Sequence, residues 1–255
     1  MIGSALNRLQ KSKRASVPSL PEGMRLYAIG DIHGRLDLLR QLASKISEDL
    51  GNAGANRISA VFLGDYIDRG PQSAAVIEEL ARGAFPVPFL ALRGNHEEIL
   101  LRFLEDESVL DSWRKFGGLE TLHSYGVPVA EPMRGIGYKA ARNALRRALP
   151  DSHVEFLKET RASVSVGDYF FCHAGVKPGI PLDEQCTQDL LWIRDEFLGY
   201  PGAFGKVIVH GHTPAPEPEQ HFNRINIDTG AYATSKLTAL VLEGDQRRFL
   251  STGSE

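Results

Sequence analysis

From residue 25 onward, short apolar runs rich in β-branched residues alternate with longer segments whose apolar positions recur every three or four residues. Arg25–Asp31 reads as a first strand. Leu39, Leu42, Ile46 and Leu50 then share one helical face, and Gly51 stands where a helix end favours glycine. A second strand is predicted over Ile58–Leu63, then a helix over Gln72–Arg82 with Val76, Ile77 and Leu80 inward. Gly83 ends that helix before a third strand over Val87–Leu92. This is the rhythm of successive βαβ units. Between Glu97 and Arg161 the pattern turns helical, opening with Ile99, Leu100, Phe103 and Leu104 and closing with an Arg/Ala-rich helix over Tyr138–Leu149, so 97–161 reads as a cap or insertion. Strands resume at Tyr169–Cys172 and Lys206–Val209, and a β pair is expected around Arg224–Ile227 and Leu237–Leu242.

Composition adds boundaries. With 255 residues and 42% hydrophobic content the chain can bury one large core. A single domain is expected over 23–250, behind a flexible basic tail at 1–22 that carries Arg8, Lys11, Lys13 and Arg14 but not the apolar stretch of a secretory signal. A net charge of −3 gives no reason to expect a nucleic acid or membrane surface as partner. Cys172 and Cys186 are too few for a disulfide framework and read as reduced, inert thiols of a cytoplasmic protein.

The chemistry sits where strands end. Asp31 and His33, then Asp65, Asn95, His173 and His212 each follow an apolar run, and the carboxyl ends of strands are where an open α/β sheet forms its crevice. The 34 residues from Asp31 to Asp65 and the 30 from Asp65 to Asn95 each match one crossover, which places these groups side by side. Oxygen and imidazole donors without cysteine suit manganese, iron or zinc in a hydrolytic site. Two divalent ions against two carboxylates and a hydroxide would leave a local charge of about +1, attractive to phosphate.

Gly30-Asp-Ile-His-Gly34, Gly64-Asp-Tyr-Ile-Asp-Arg-Gly70 and Gly94-Asn-His-Glu97 resemble the three successive motifs of the phosphoprotein phosphatase family, the bacterial serine/threonine branch of the calcineurin-like metallophosphoesterases. His173-Ala-Gly175 and Gly211-His-Thr213 resemble its later histidine motifs. The resemblance covers roughly 25–240 and implies an α/β metallophosphatase sandwich of two mixed β-sheets flanked by helices, with a helical insertion. It implies two divalent ions, manganese first and iron or zinc as alternatives. One ion would be held by Asp31, His33 and Asp65. The other would share Asp65 and be held by Asn95, His173 and His212, with a hydroxide between the two as nucleophile. His96 would protonate the leaving oxygen, oriented by Asp68, while Arg69 and a second arginine, Arg194, would bind phosphate.

The resulting expectation is hydrolysis of phosphoserine, phosphothreonine or phosphotyrosine in proteins, or of a small phosphoester. The alternative is hydrolysis of dinucleoside polyphosphates such as diadenosine tetraphosphate; the first motif of those enzymes commonly has glutamine where this chain has His33. A catalytically silent binding module would be expected to have lost a ligand, and none is missing. His123, His153 and His221 lie outside any motif and read as ordinary side chains, and a surface ion pair explains Arg194 nearly as well. His210 lies two residues before His212 and would share its strand face as an outer partner of the site. Asp228 and Tyr232 are read either as approaching the site or as parts of a turn.

Overall fold

A computed structural model describes residues 17–51 and 54–253. In chain order its strands are β1 (Met24–Ile29), β2 (Arg57–Phe62), β3 (Phe89–Ala91), β4 (Ser163–Val166), β5 (Tyr169–Cys172), β6 (Val207–His210), β7 (Glu219–Gln220), β8 (Arg224–Asn226), β9 (Thr238–Glu243) and β10 (Gln246–Ser251). They form two five-stranded sheets, β10-β9-β1-β2-β3 and β4-β5-β6-β8-β7. Within them β1-β2-β3 and β5-β6-β8 run parallel, with antiparallel strands at the margins, so both sheets are mixed.

The helices are α1 (Leu36–Leu50), α2 (Ser73–Ala81), α3 (Asn95–Glu105), α4 (Leu110–Trp113), α5 (Gly118–Ser124), α6 (Ala130–Met133), α7 (Tyr138–Ala148), α8 (Asp151–Glu159), α9 (Thr187–Trp192), α10 (Asp195–Leu198) and α11 (Ala231–Thr234). None of the described helices is long and apolar enough to cross a membrane.

The continuous apolar strands are explained by burial on both faces. Tyr27 and Ile29 of β1 pack with Leu39, Leu42 and Ile46 of α1, while Leu26 and Ala28 meet Tyr169 and Phe171 of β5 and Val209 of β6 between the sheets. On the far side Phe170, Cys172 and Ile208 pack with Leu190 and Phe197. Fully buried side chains such as Leu42 and Ile46 each contribute about 1.5–3 kcal/mol of transfer free energy. The 97–161 segment is an extension of the helical layer, since Leu110, Trp113, Leu122, Leu145 and Leu157 share one core with α1–α3.

Several sequence expectations are corrected. β3 begins only at Phe89, because Pro86 and Pro88 cannot donate to a ladder. The strands near 224–227 and 237–242 do not pair: β8 joins β6, whereas β9 lies between β1 and β10. β10 was hidden in the sequence by its edge position, with Arg247 and Arg248 among its residues.

Residues before 23 also pack against the sheets. Ser19 N donates to Asp168 Oδ2 at 2.9 Å, Leu20 N donates to Gly244 O at 2.9 Å, and Leu20 is buried between the sheets. Residues 1–16 of the expected tail lie outside the described residues.

Cys172 is fully buried, and burial pushes its thiol well above the usual range, whereas Cys186 is exposed. A thiol reagent is therefore expected to modify one cysteine in the folded protein, Cys186, and a second only after unfolding. Rapid reaction of both thiols without denaturant would contradict this packing.

Candidate metal centre

Asp31 follows β1, Asp65 follows β2, Asn95 opens α3 behind β3, His173 follows β5 and His212 follows β6. The parallel strands of both sheets thus deliver their carboxyl ends to one edge of the sandwich. His33, Asp65, Asp68, Arg69 and His212 all have positive φ (47°, 53°, 73°, 65° and 66°), and among the described residues Ser235 is the one other non-glycine that does. Backbone strain of roughly 1–3 kcal/mol per residue is thereby concentrated in one place, which needs surrounding structure to hold it.

Asp65 is the hinge of the arrangement. On its Oδ1 side lie His173 Nε2 at 3.4 Å and, beyond it, Asn95 Oδ1 and His212 Nδ1, which stand 2.9 Å and 3.1 Å from that same Nε2. His173 Nδ1 faces the Leu63 carbonyl at 3.0 Å, so it carries the ring's proton and Nε2 presents a lone pair. Four acceptors then converge with too few protons to join them. His33 lies on the Oδ2 side, with Nε2 3.5 Å from Oδ2 and Nδ1 against the Ile67 carbonyl at 2.8 Å. Burial holds His33 neutral, down to about 3, and holds His212 at about 2, so both can ligate a cation. Burial raises Asp65, but His173 and His96 around it prevail and hold its carboxyl well below the usual range.

Two groups of buried donors result: His33, Asp65 and His96, and Asp65, His173 and His212. The first differs from the expected Asp31, His33 and Asp65. Asp31 Oδ2 instead accepts the His212 N–H at 3.0 Å, while Oδ1 is buried without a partner. Burial, Asp228 and Asp65 push the Asp31 carboxyl well above its ordinary range. Carboxylates crowded in this way, an orphaned Asp31 oxygen and an orphaned His212 Nε2 fit a centre completed by cations.

His96 sits between these groups and a second layer. Its Nδ1 is 2.5 Å from Asp68 Oδ2, its Nε2 is 3.7 Å from Asp65 Oδ2, and Arg69 Nη2 is 3.4 Å from that Nε2. Burial opposes a charge on His96, yet the carboxylates of Asp65 and Asp68 raise it to about 9. The Arg69 guanidinium lies over the Tyr232 ring at 4.5 Å, and that ring meets His33 edge-on at 5.4 Å. Tyr232 therefore does approach the site, whereas Asp228 accepts the Gly230 N–H at 2.9 Å within its turn and acts on Asp31 through its charge.

Arg194 reaches the opposite flank, where its Nη1 donates to Thr213 Oγ1 at 3.3 Å beside His212. Among the described residues it makes no ion pair with a carboxylate, unlike the surface bridge weighed for it.

His210 does not share the face of His212. β6 ends at His210, whose ring meets Phe197 at 4.9 Å in the outer layer, and the left-handed turn at His212 breaks the strand alternation. His153 is buried between Tyr125 and Glu78, and His221 lies near Glu219.

Glu97, the last residue of the third motif, supports the site from beneath. Its carboxylate is fully buried and accepts N–H groups from Gly94 (2.8 Å), Asp65 (2.9 Å) and Tyr66 (2.8 Å), which fixes the turn that aims Asp65. Burial raises it to about 7. Trp113 and Thr121, which no motif marks, both contact Asp68 from the insertion.

Residues 24–239 match the sequence model of the family described as calcineurin-like phosphoesterase. Over 248 residues, covering 91% of this chain and 93% of the other, the protein is 27% identical to an Oceanobacillus iheyensis protein named bis(5'-nucleosyl)-tetraphosphatase PrpE, asymmetrical. A solved structure described as a candidate diadenosine tetraphosphatase superposes with a TM-score of 0.62 at 19% identity, covering 91% of this chain and 95% of that one. A cold-active protein tyrosine phosphatase superposes with a TM-score of 0.54 at 16% identity, covering 91% and 81%. The two superpositions establish a shared fold.

Proposed function

The chain belongs to the calcineurin-like phosphoesterase family, and from that premise we propose that this metallophosphoesterase hydrolyses dinucleoside polyphosphates, splitting a bis(5'-nucleosyl) tetraphosphate asymmetrically. The observation that carries the hydrolytic reading is Asp65, set between two converging donor groups with His96, Arg69 and Arg194 around them. The substrate class is supported by the name of the curated relative, which spans nearly the whole chain. Charge agrees with it: Arg69 lies on the His96 flank and Arg194 on the His212 flank, two cations without a carboxylate partner among the described residues, on either side of the centre for a chain of phosphates.

In this reading two divalent ions would be held here, one by Asp65, Asn95, His173 and His212 and the other by Asp65, His33 and Asp31; manganese is the first choice and iron or zinc the alternatives. Such ions, when bound, supply Lewis acidity and lower the pKa of water toward neutrality. The protein's own groups do the rest. Arg69 and Arg194 hold phosphoryl oxygens, and Asp68 keeps His96 charged with Nε2–H turned to the reacting centre, where it passes a proton to the departing oxygen as the P–O bond breaks.

A second reading, a phosphomonoesterase of phosphoserine, phosphothreonine or phosphotyrosine residues, is favoured by that same dyad. A departing nucleotide phosphate needs little protonation, its second pKa being about 6, whereas an alkoxide needs a full proton donor.

Turnover of diadenosine tetraphosphate, a phosphoserine peptide and p-nitrophenyl phosphate by metal-stripped protein, with manganese added back, tests the proposal. Faster turnover of the nucleotide, yielding a triphosphate and a monophosphate, is expected. Faster turnover of the peptide, or two equal nucleotide products, would replace the proposal with the second reading or with a symmetrical cleavage.

A further inference from the structure

Asp68 and Arg69 are consecutive left-handed residues, and the polar groups of that turn are met from residues 113–121 of the helical insertion. Thr121 Oγ1 accepts the Asp68 N–H at 2.9 Å and donates to Asp68 Oδ1 at 2.5 Å. Trp113 Nε1 donates to Asp68 Oδ2 at 2.6 Å, the same oxygen that faces His96 Nδ1. The Arg69 N–H donates to the Gly117 carbonyl at 3.2 Å. Asp68, Trp113 and Thr121 are all completely buried.

Two glycines make these contacts possible. Gly117 has φ +100°, and a Cβ there would stand 2.5 Å from Arg69 N; a Cβ on Gly118 would stand 2.5 Å from the Trp113 ring. The indole lies directly against backbone, which aims its N–H at Asp68.

We infer that Trp113 and Thr121 are positioning residues for proton delivery. By engaging both oxygens of Asp68 they leave His96 Nδ1 one fixed acceptor, so the ring cannot swing and Nε2 stays turned toward Asp65 and the reacting centre. The insertion is thus part of the catalytic apparatus through Asp68 and also anchors the backbone of the phosphate-binding Arg69. The inference rests on His96 being the proton donor.

The test uses full-length manganese-loaded protein and a series of aryl phosphates, from phenyl phosphate, whose leaving phenol has a pKa of about 10 like that of tyrosine, to p-nitrophenyl phosphate with a more acidic phenol. Trp113→Phe keeps the ring and removes the donor; Thr121→Val keeps the shape and removes the hydroxyl. Each is expected to lower kcat on phenyl phosphate roughly ten- to hundredfold, as loss of an outer partner does, and distinctly less on p-nitrophenyl phosphate, with KM nearly constant. Thr121→Ser should restore the wild-type dependence.

His96→Ala is run alongside. If it steepens the dependence and Trp113→Phe and Thr121→Val lower all substrates equally, or none, the positioning role is overturned while the proton donor stands. If His96→Ala shows no dependence on the leaving group, the proton donor falls and this inference with it.

Discussion

An Asp65→Asn protein is expected to lose one metal ion or both and to lose turnover by about three orders of magnitude, the kinetic equivalent of the several kcal/mol that bound ions supply to a transition state. The reason is geometric. Asp65 Oδ1 faces His173 and Oδ2 faces His33, so both oxygens are in use on opposite sides. Asparagine offers one oxygen and turns an amide toward either His33 or His173. It also removes the carboxylate on which both groups of buried donors depend. Metal content by elemental analysis, measured with hydrolysis of p-nitrophenyl phosphate, checks this. Full metal content together with wild-type turnover would sink the bridging role.

His96→Ala is expected to lower the turnover number by roughly a hundredfold or more while leaving metal content unchanged, as removal of a general acid does. Its Nδ1 is taken by Asp68, and its Nε2 stands 3.7 Å from Asp65 Oδ2. That position also falls within one group of donors, with His33 and Asp65, so the same measurement decides between two roles. Loss of metal would make His96 a ligand. The variant leaves the Asp68 carboxylate buried without its ring partner, a change that can cost about 3–5 kcal/mol. The melting temperature is therefore recorded with the kinetics, to separate unfolding from lost proton transfer.

The central strands and the strand-end positions of the candidate ligands were legible because their causes are local. β1, β2, β5 and β6 are buried on both faces and so appear as unbroken apolar runs, and the residues that follow them, Asp31, Asp65, His173 and His212, end up at one edge whatever the details of packing. The grouping of those residues was less legible. Spacing along the chain could not show that His96 also stands with His33 and Asp65 in one cluster, because this depends on left-handed turns at His33 and Asp65. Strand alternation also misplaced His210, since it assumes a regular backbone where the chain has already turned.

Sequence alone determined that this chain is an α/β protein of successive βαβ units with candidate metal-binding side chains at its strand ends, because periodicity and residue type carry that information within a few residues of each position. Only the tertiary structure decided the surroundings of those side chains: Glu97 fixing the turn at Asp65, Trp113 and Thr121 gripping Asp68, and Tyr232 beneath the Arg69 guanidinium. Those contacts join residues 32 to 163 positions apart, and the hydrogen bonds and ring stacking that make them leave no period in the sequence.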